Sequence, residues 1–317
     1  MTVPRLWAPL ALVLLLASPP ASAQDTRYAG DPFLLGAGAR PLGMGSAFVA
    51  LSDEATAVYW NPAGLPGLKQ TEVQFQHAEQ FGGSVNHDVF TAATNSSSGG
   101  FGIGLLRMGI GGIVFTQLED PSRPSGPDNR PVALSTENAS DYSLHLAYGR
   151  DLTDHLSVGL GLKLVWRNLA VGSGSGWGFD LGALYRLPDH GITLGAVLRN
   201  VTRTRIGFST GSADHIPPSL LAGVAWTRTV SRLHGRLTAS ASVHLNEEGS
   251  VLEDMQGIQA GAEFVYGERV AFRLGAEGDH FTAGAGVRLL DRVGLDVAFL
   301  ENGRLDNSYR VSASVFF

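Results

Sequence analysis

The sequence predicts an all-β protein: a transmembrane antiparallel β-barrel of about fourteen strands, with an N-terminal segment lodged in its lumen as a hatch. Three observations lead there. Past residue 70 the apolar residues recur with a period of two rather than 3.6. The alternating stretches run about 9–11 residues, the length a tilted strand needs to cross a bilayer. The connections between them alternate between short and long, as in outer-membrane barrels.

Composition agrees. Of 317 residues, 44% are hydrophobic and only 16% charged, against roughly 25% charged in soluble proteins. The 41 glycines favour turns and strands over helix interiors. A net charge of −6 gives no reason to expect nucleic acid as a partner. There is no cysteine, so a disulfide framework and a thiolate metal site are both excluded.

The first element, residues 1–23, reads as a signal peptide. Arg5 precedes the apolar run "LWAPLALVLLLA", and "ASA" at 21–23 fits a small-residue cleavage site. The run is shorter than the ~20 residues of a membrane-spanning helix. The mature chain is therefore expected to start at Gln24 and to be exported.

The barrel, residues 71–317, is expected in strands 71–81, 85–94, 99–108, 140–150, 155–167, 176–186, 191–200, 218–227, 236–246, 257–266, 270–278, 281–289, 293–300 and 308–317. In "DYSLHLAYGR" one face holds Tyr142, Leu144, Leu146 and Tyr148; in "VAFRLGAEG" it holds Val270, Phe272, Leu274 and Ala276. "LSVGLGLKLVW" sets Leu156, Val158, Leu160, Leu162, Leu164 and Trp166 against Ser157, Gly159, Gly161, Lys163 and Val165. A soluble sandwich would bury the oily face, carry more charge outside and use strands nearer 5–6 residues. Here Tyr142, Tyr148, Trp166, Trp177, Tyr185, Trp226, Tyr266 and Tyr309 fall near strand ends, as interfacial girdles do. A closed barrel also satisfies every backbone group in lipid, which an open sheet cannot. The short turns near Asn95, Asp151, Pro188, Gly267 and Leu290 mark the periplasmic side, and the loops at 109–139 and 201–217 the outside.

Residues 24–70 do not alternate and are too apolar to hang in the periplasm. Ser52 is expected to cap a short helix in "SDEATAVYW", ended by Asn61-Pro62. Inward Gly159, Gly161, Gly178, Gly182, Gly195, Gly261, Gly275, Gly284 and Gly286 would leave room for this segment. The run "GARPLGMGSAFVALSDEATAVYWNPAGL" carries Gly43, Gly45, Ala47, Phe48, Ala50, Asp53, Ala55, Asn61, Pro62, Ala63, Gly64 and Leu65. It resembles the N-terminal signature of the PorV/PorQ family within the FadL-like outer-membrane proteins, and "SYRVSASVFF" resembles that family's closing strand. The resemblance implies a fourteen-stranded barrel with a hatch. It implies passive uptake of long-chain fatty acids or other hydrophobic molecules or, on the PorV side, a shuttle or scaffold role in type IX secretion.

Lumen-facing charges are expected at Lys163, Asp180, Glu263, Arg273, Glu277, Arg288 and Asp296. Glu263–Arg273, Lys163–Asp180 and Arg288–Asp296 are the expected pairs, worth about 0.2–1 kcal/mol each as cross-strand neutralisation. Aliphatic and aromatic residues of the long loops, Ile110, Ile113, Val114, Phe115, Ile206 and Phe208, are candidates for a ligand entrance. His145 with Ser143 and His244 with Ser242 share faces only because strands repeat every two residues, so no enzyme is expected. His77 and His87 could meet across a hairpin, and the acids of "NEEGSVLEDM" could attract Ca²⁺, but neither makes a metal site the expectation. The expected partners are outer-membrane lipid, a hydrophobic small molecule and secretion-system proteins, with no cofactor.

Overall fold

The computed structural model describes residues 33–80, 82–246, 257–302 and 306–317. The signal peptide and the acids Glu247, Glu248, Glu253 and Asp254 lie outside the described residues.

Sixteen strands are present among the described residues. They are β1 (Glu72–Gln80), β2 (Val85–Ser96), β3 (Gly99–Leu118), β4 (Pro131–Asp151), β5 (Leu156–Leu169), β6 (Gly172–Leu187), β7 (Ile192–Arg199), β8 (Thr204–Phe208) and β9 (Ala213–Ile216). Then follow β10 (Ser219–Val230), β11 (Gly235–Leu245), β12 (Ile258–Tyr266), β13 (Val270–Glu277), β14 (His280–Leu289), β15 (Val293–Leu300) and β16 (Ser308–Phe316). Fourteen of them form a closed antiparallel ring, because β1 pairs with both β2 and β16 and β5 pairs with β6. The hairpin β8–β9 branches off the upper part of β6. Among the described residues no helix is long and apolar enough to cross a membrane; the strands do so.

The period-two pattern sorts side chains as lipid and lumen require. Phe75, Phe90, Phe101, Leu160, Leu181, Leu194, Phe272, Leu274, Val297 and Val311 all point out and are exposed around the ring. Trp166, Trp177, Tyr185, Tyr266 and Tyr309 are exposed too. In β5 the greasy face is the outer one, while Ser157, Lys163 and Val165 are buried inside. The turn between β12 and β13 has two successive left-handed residues, Gly267 (φ 55°) and Glu268 (φ 57°). Left-handed residues in this three-residue turn, 267–269, follow the right-handed twist of the flanking strands. Leu274→Arg places a charge against acyl chains in the middle of β13. It is expected to cost about 2–4 kcal/mol of folding free energy in lipid vesicles; an unchanged urea midpoint would speak against a lipid-facing Leu274.

Two long loops differ from the sequence expectation. Residues 109–118 and 131–139 continue β3 and β4 as a two-stranded ribbon, with a register shift between Ile110 and Ile113. Ile110, Ile113 and Phe115 therefore sit in a strand, not a loop. Beyond the buried Gly109 at its root, both ribbon faces are partly or fully exposed, so nothing imposes the alternation that marks a half-buried strand. Residues 201–217 form β8–β9, whose Ile206 and Ile216 are fully buried; this hairpin folds inward.

Candidate functional site

Residues 33–68 pack against inward-facing residues of the ring. The segment has a helical turn at Ala39–Gly43, a second at Ala57–Trp60 and a 3₁₀ turn at Pro62–Gly67. Its contacts run round the wall. The amide of Ala39 donates to Ser312 Oγ on β16 (2.9 Å), and that of Ala55 to Glu72 Oε2 on β1 (2.9 Å). Asn61 Nδ2 donates to Val49 O (2.9 Å) and to Ala183 O on β6 (3.1 Å), while its Oδ1 accepts from Ala63 N. Asn61 is extended and caps the 3₁₀ turn, with Pro62 at its first position, where a missing N–H costs nothing. Ser52 caps no helix: its hydroxyl bonds back to Phe48 O (3.0 Å), and the helix begins only at Ala57.

The wall admits this backbone because it lacks side chains there. A Cβ on Gly159, Gly182, Gly195, Gly261, Gly275 or Gly284 would press on residues 43–63. Gly178 and Gly286 serve other neighbours, Thr204 and the Arg273–Asp296 pair, so not all the inward glycines belong to the inner segment. Gly45 stands at φ 60°, with the backbone of Ala260 and Ala276 against it. Gly43 abuts Gly284, and Gly64 abuts Ser52.

At the short-turn end one cation ties the segment down. Arg40 holds Glu263 of β12 with two nitrogens (2.8 and 2.9 Å), and its Nη1 reaches Asp53 (2.6 Å) and Glu54 (3.2 Å). Its guanidinium lies 5.1 Å from the centre of the Phe48 ring. Glu263 also accepts from Arg273 Nε (2.7 Å), and Arg273 continues to Asp296 (2.6 Å). Two guanidiniums thus serve four carboxylates. Burial alone would pull the Arg40 guanidinium down, but Asp53, Glu263 and Glu54 outweigh it and hold it well above the ordinary range. Burial pushes the Glu54 carboxyl up, against the attraction of Arg40 and the Thr56 hydrogen bond. Glu263 and Arg273 meet directly across the register, and Lys163 and Asp180 meet diagonally (3.4 Å). Arg288 does not reach Asp296: it donates to Gln70 (2.6 Å) and stacks 3.9 Å over the Phe316 ring, because Arg273 already occupies Asp296. Arg40 was not singled out from the sequence, although it is the sole cation between residues 33 and 68. A cavity of about 730 Å³ opens below this network, lined by Glu72, Lys69, Arg236 and Arg269 among others.

Above the network the lumen is apolar. Phe48, Tyr59 and Trp60 pack with Val89, Leu106, Val165, Val197 and Leu221 of the wall and with Ile206 and Ile216 of the hairpin. Phe208 packs on the edge of the same cluster. Ile206 and Phe208 thus come together at the inner segment, while Ile110, Ile113 and Phe115 stay out on the ribbon. Lys163 and Asp180 anchor the hairpin's root: Lys163 Nζ donates to Asn200 Oδ1 (3.0 Å), and Asn200 N to Asp180 Oδ1 (2.8 Å). Glu277 is buried against Ser46 and Gln259. The wall at β16 and β1 is polar instead, with Arg310, Gln74, Gln76 and Gln80 buried, and β2 adds buried His87 and Thr91 on either side of Val89.

The Ser–His pairs act as local partners. Ser143 Oγ meets His145 Nε2 (3.0 Å), whereas His244 meets Ser219 (2.8 Å) and Ser242 meets Gln259 (2.7 Å). His77 faces outward onto Asp88 (2.7 Å) while His87 faces the lumen, so the two do not meet. Among the described residues no group of three or more His, Asp or Glu is placed to hold a metal.

The family described as "Uncharacterised protein family (UPF0164)" matches residues 16–176, just over half of the sequence and all of the stretch that builds the inner segment. The chain belongs to this family. Among curated proteins none matches the sequence. The fold of this UPF0164 member is similar to that of three solved barrels. The Pseudomonas putida toluene transporter TodX shares 14% identity over 92% of this chain and 98% of its own, with a TM-score of 0.56. The Ralstonia pickettii toluene transporter TbuX shares 15% over 89% and 97%, with 0.55. A Pseudomonas aeruginosa FadL homologue shares 12% over 86% and 97%, with 0.51. At such identities the likeness is one of fold, and it is the fold of bacterial outer-membrane barrels.

Proposed function

We propose that the protein is an outer-membrane channel for passive uptake of hydrophobic small molecules, long-chain fatty acids among them, with residues 24–70 as its hatch. The supporting observation is the apolar cluster in the lumen, where Tyr59 and Trp60 meet Ile206, Ile216 and Phe208. A porin for hydrophilic solutes needs a polar bore; here the centre would wet poorly and would receive an apolar guest on a small movement of the β8–β9 hairpin. The toluene transporters and the FadL homologue with the same fold are in keeping with this reading. The test is uptake of radiolabelled oleate and toluene into proteoliposomes. Wild-type protein is expected to exceed protein-free vesicles, and Ile206→Glu to abolish the excess. No excess for either solute would end the proposal.

A second reading, a PorV/PorQ-type shuttle or scaffold in type IX secretion, draws on the ribbon. Val114, Val132 and Leu134 are exposed on it, and a projecting strand pair offers free edges to a partner chain. Deleting residues 111–137 would leave the barrel folded. Under this reading the deletion would also remove a copurifying secretion-system protein; retention of that protein would exclude the ribbon as its dock.

A further inference from the structure

The wall at β16, β1 and β2 carries polar atoms that neither the latch nor the apolar cluster uses. From the short-turn end upward, the inward side chains are Glu72, Gln74, Gln76, Ala78 and Gln80 on β1. Opposite them in register stand Thr91 across from Gln74, Val89 across from Gln76 and His87 across from Ala78. On the other side stand Ser314, Ser312 and Arg310, paired with Gln74, Gln76 and Ala78. Gln74, Gln76, Gln80, His87, Thr91 and Arg310 are each at most 3% exposed. Yet Gln74 Oε1, Gln76 Oε1, Gln80 Nε2, His87 Nε2, Thr91 Oγ1 and both Nε and Nη1 of Arg310 have no hydrogen-bonding partner among the described residues. Buried polar groups are paired as a rule, with protein or with water. So many orphans in one column, donors and acceptors mixed, fit a file of small molecules that both donate and accept.

The column also has the right extent and an outlet. Glu72 to Gln80 is nine residues, eight steps and so about 27 Å along a strand, close to the ~25 Å apolar band of such barrels. Glu72, Gln74 and Ser314 line the charged cavity at the short-turn end, and the exposed residues 82–84 lie toward the other. The inner segment closes the column's inner side through Ala39 and Ala55.

We infer that this polar column is a water-conducting seam: water passes in file between the inner segment and the β16–β1–β2 wall while the hatch is in place. The occupant is water because the unmatched groups are neutral amides, a hydroxyl and an imidazole around a single guanidinium. They compensate a neutral donor–acceptor better than an ion.

Stopped-flow light scattering on proteoliposomes challenged with sucrose tests this. Wild-type protein is expected to speed osmotic shrinkage severalfold over protein-free vesicles. Gln76→Leu/Thr91→Val should return the rate to the protein-free value, and Gln76→Asn should retain most of it. A wild-type rate equal to that of empty vesicles, or a double variant as fast as wild type, would overturn the inference. Thermal unfolding gives an independent reading. Apolar replacements in a dry column remove uncompensated groups and raise the midpoint; in a hydrated seam they leave it unchanged or lower it. A raised midpoint would count against water as decisively as the flux.

Discussion

Arg40→Ala is expected to unlatch the inner segment and to lower the unfolding free energy by about 3–5 kcal/mol, the usual cost of removing one partner from a buried ion pair. Glu263 is 1% exposed and would lose its two-pronged partner. Glu54, already strained by burial, would lose the attraction that offsets it. Arg273 would be left to serve both Glu263 and Asp296 alone. The wall does not depend on Arg40, so the damage should be local at first: residues 33–70 detach at the short-turn end while the ring persists. Urea unfolding in lipid vesicles reads the stability, and planar-bilayer recordings read the opening as a new conductance. Arg40→Lys keeps the charge but not the fork and should fall between the two. A variant with wild-type stability and no added conductance would mean that the ion pairs do not hold the segment.

Gly45→Val should be as severe for a different reason. The residue stands at φ 60°, which costs a non-glycine residue about 1–2 kcal/mol. A Cβ there would also lie 2.6 Å from Ala260 O and from Ala276 N. Those atoms belong to paired strands of the ring and cannot retreat as a flexible side chain can; overpacking of this kind adds about 1–3 kcal/mol. The expected outcome is a barrel that excludes the first helical turn or assembles poorly. Gly207→Ala serves as the control, since nothing lies within 4 Å of its added Cβ. Heat-modifiability on gels separates the outcomes; equal folded yield and stability for Gly45→Val would refute the close approach.

The ring was legible in the sequence because lipid and lumen impose opposite chemistries on alternate residues. Phe272 and Leu274 against Arg273, or the leucines of β5 against Gly159 and Lys163, can be read from the residues alone. In residues 33–70 the glycines and the Asn61–Leu65 run carry their own signal, because they call for close backbone contact and a capped turn. The latch was harder. Its acids and Arg273 were visible on strands, but the cation that joins them to the segment, Arg40, gains its meaning only from a partner 223 positions away. The Arg288–Asp296 pairing failed because register names neighbours without saying which of two arginines is the better placed. The ribbon and the inward hairpin escaped notice because neither has a lipid face to impose a period.

Disulfide trapping in the native membrane tests the central claim, that residues 33–70 fill the barrel, most directly. The chain has no cysteine, so introduced pairs report alone. Gln74→Cys/Ser314→Cys bridges neighbouring wall strands that already share a 3.1 Å hydrogen bond. It should link in every folded molecule. Ala39→Cys/Ser312→Cys joins the inner segment to the wall across 273 positions, and it should link as fully. A wall pair that links beside an inner pair that does not would leave the ring standing and place the segment outside it.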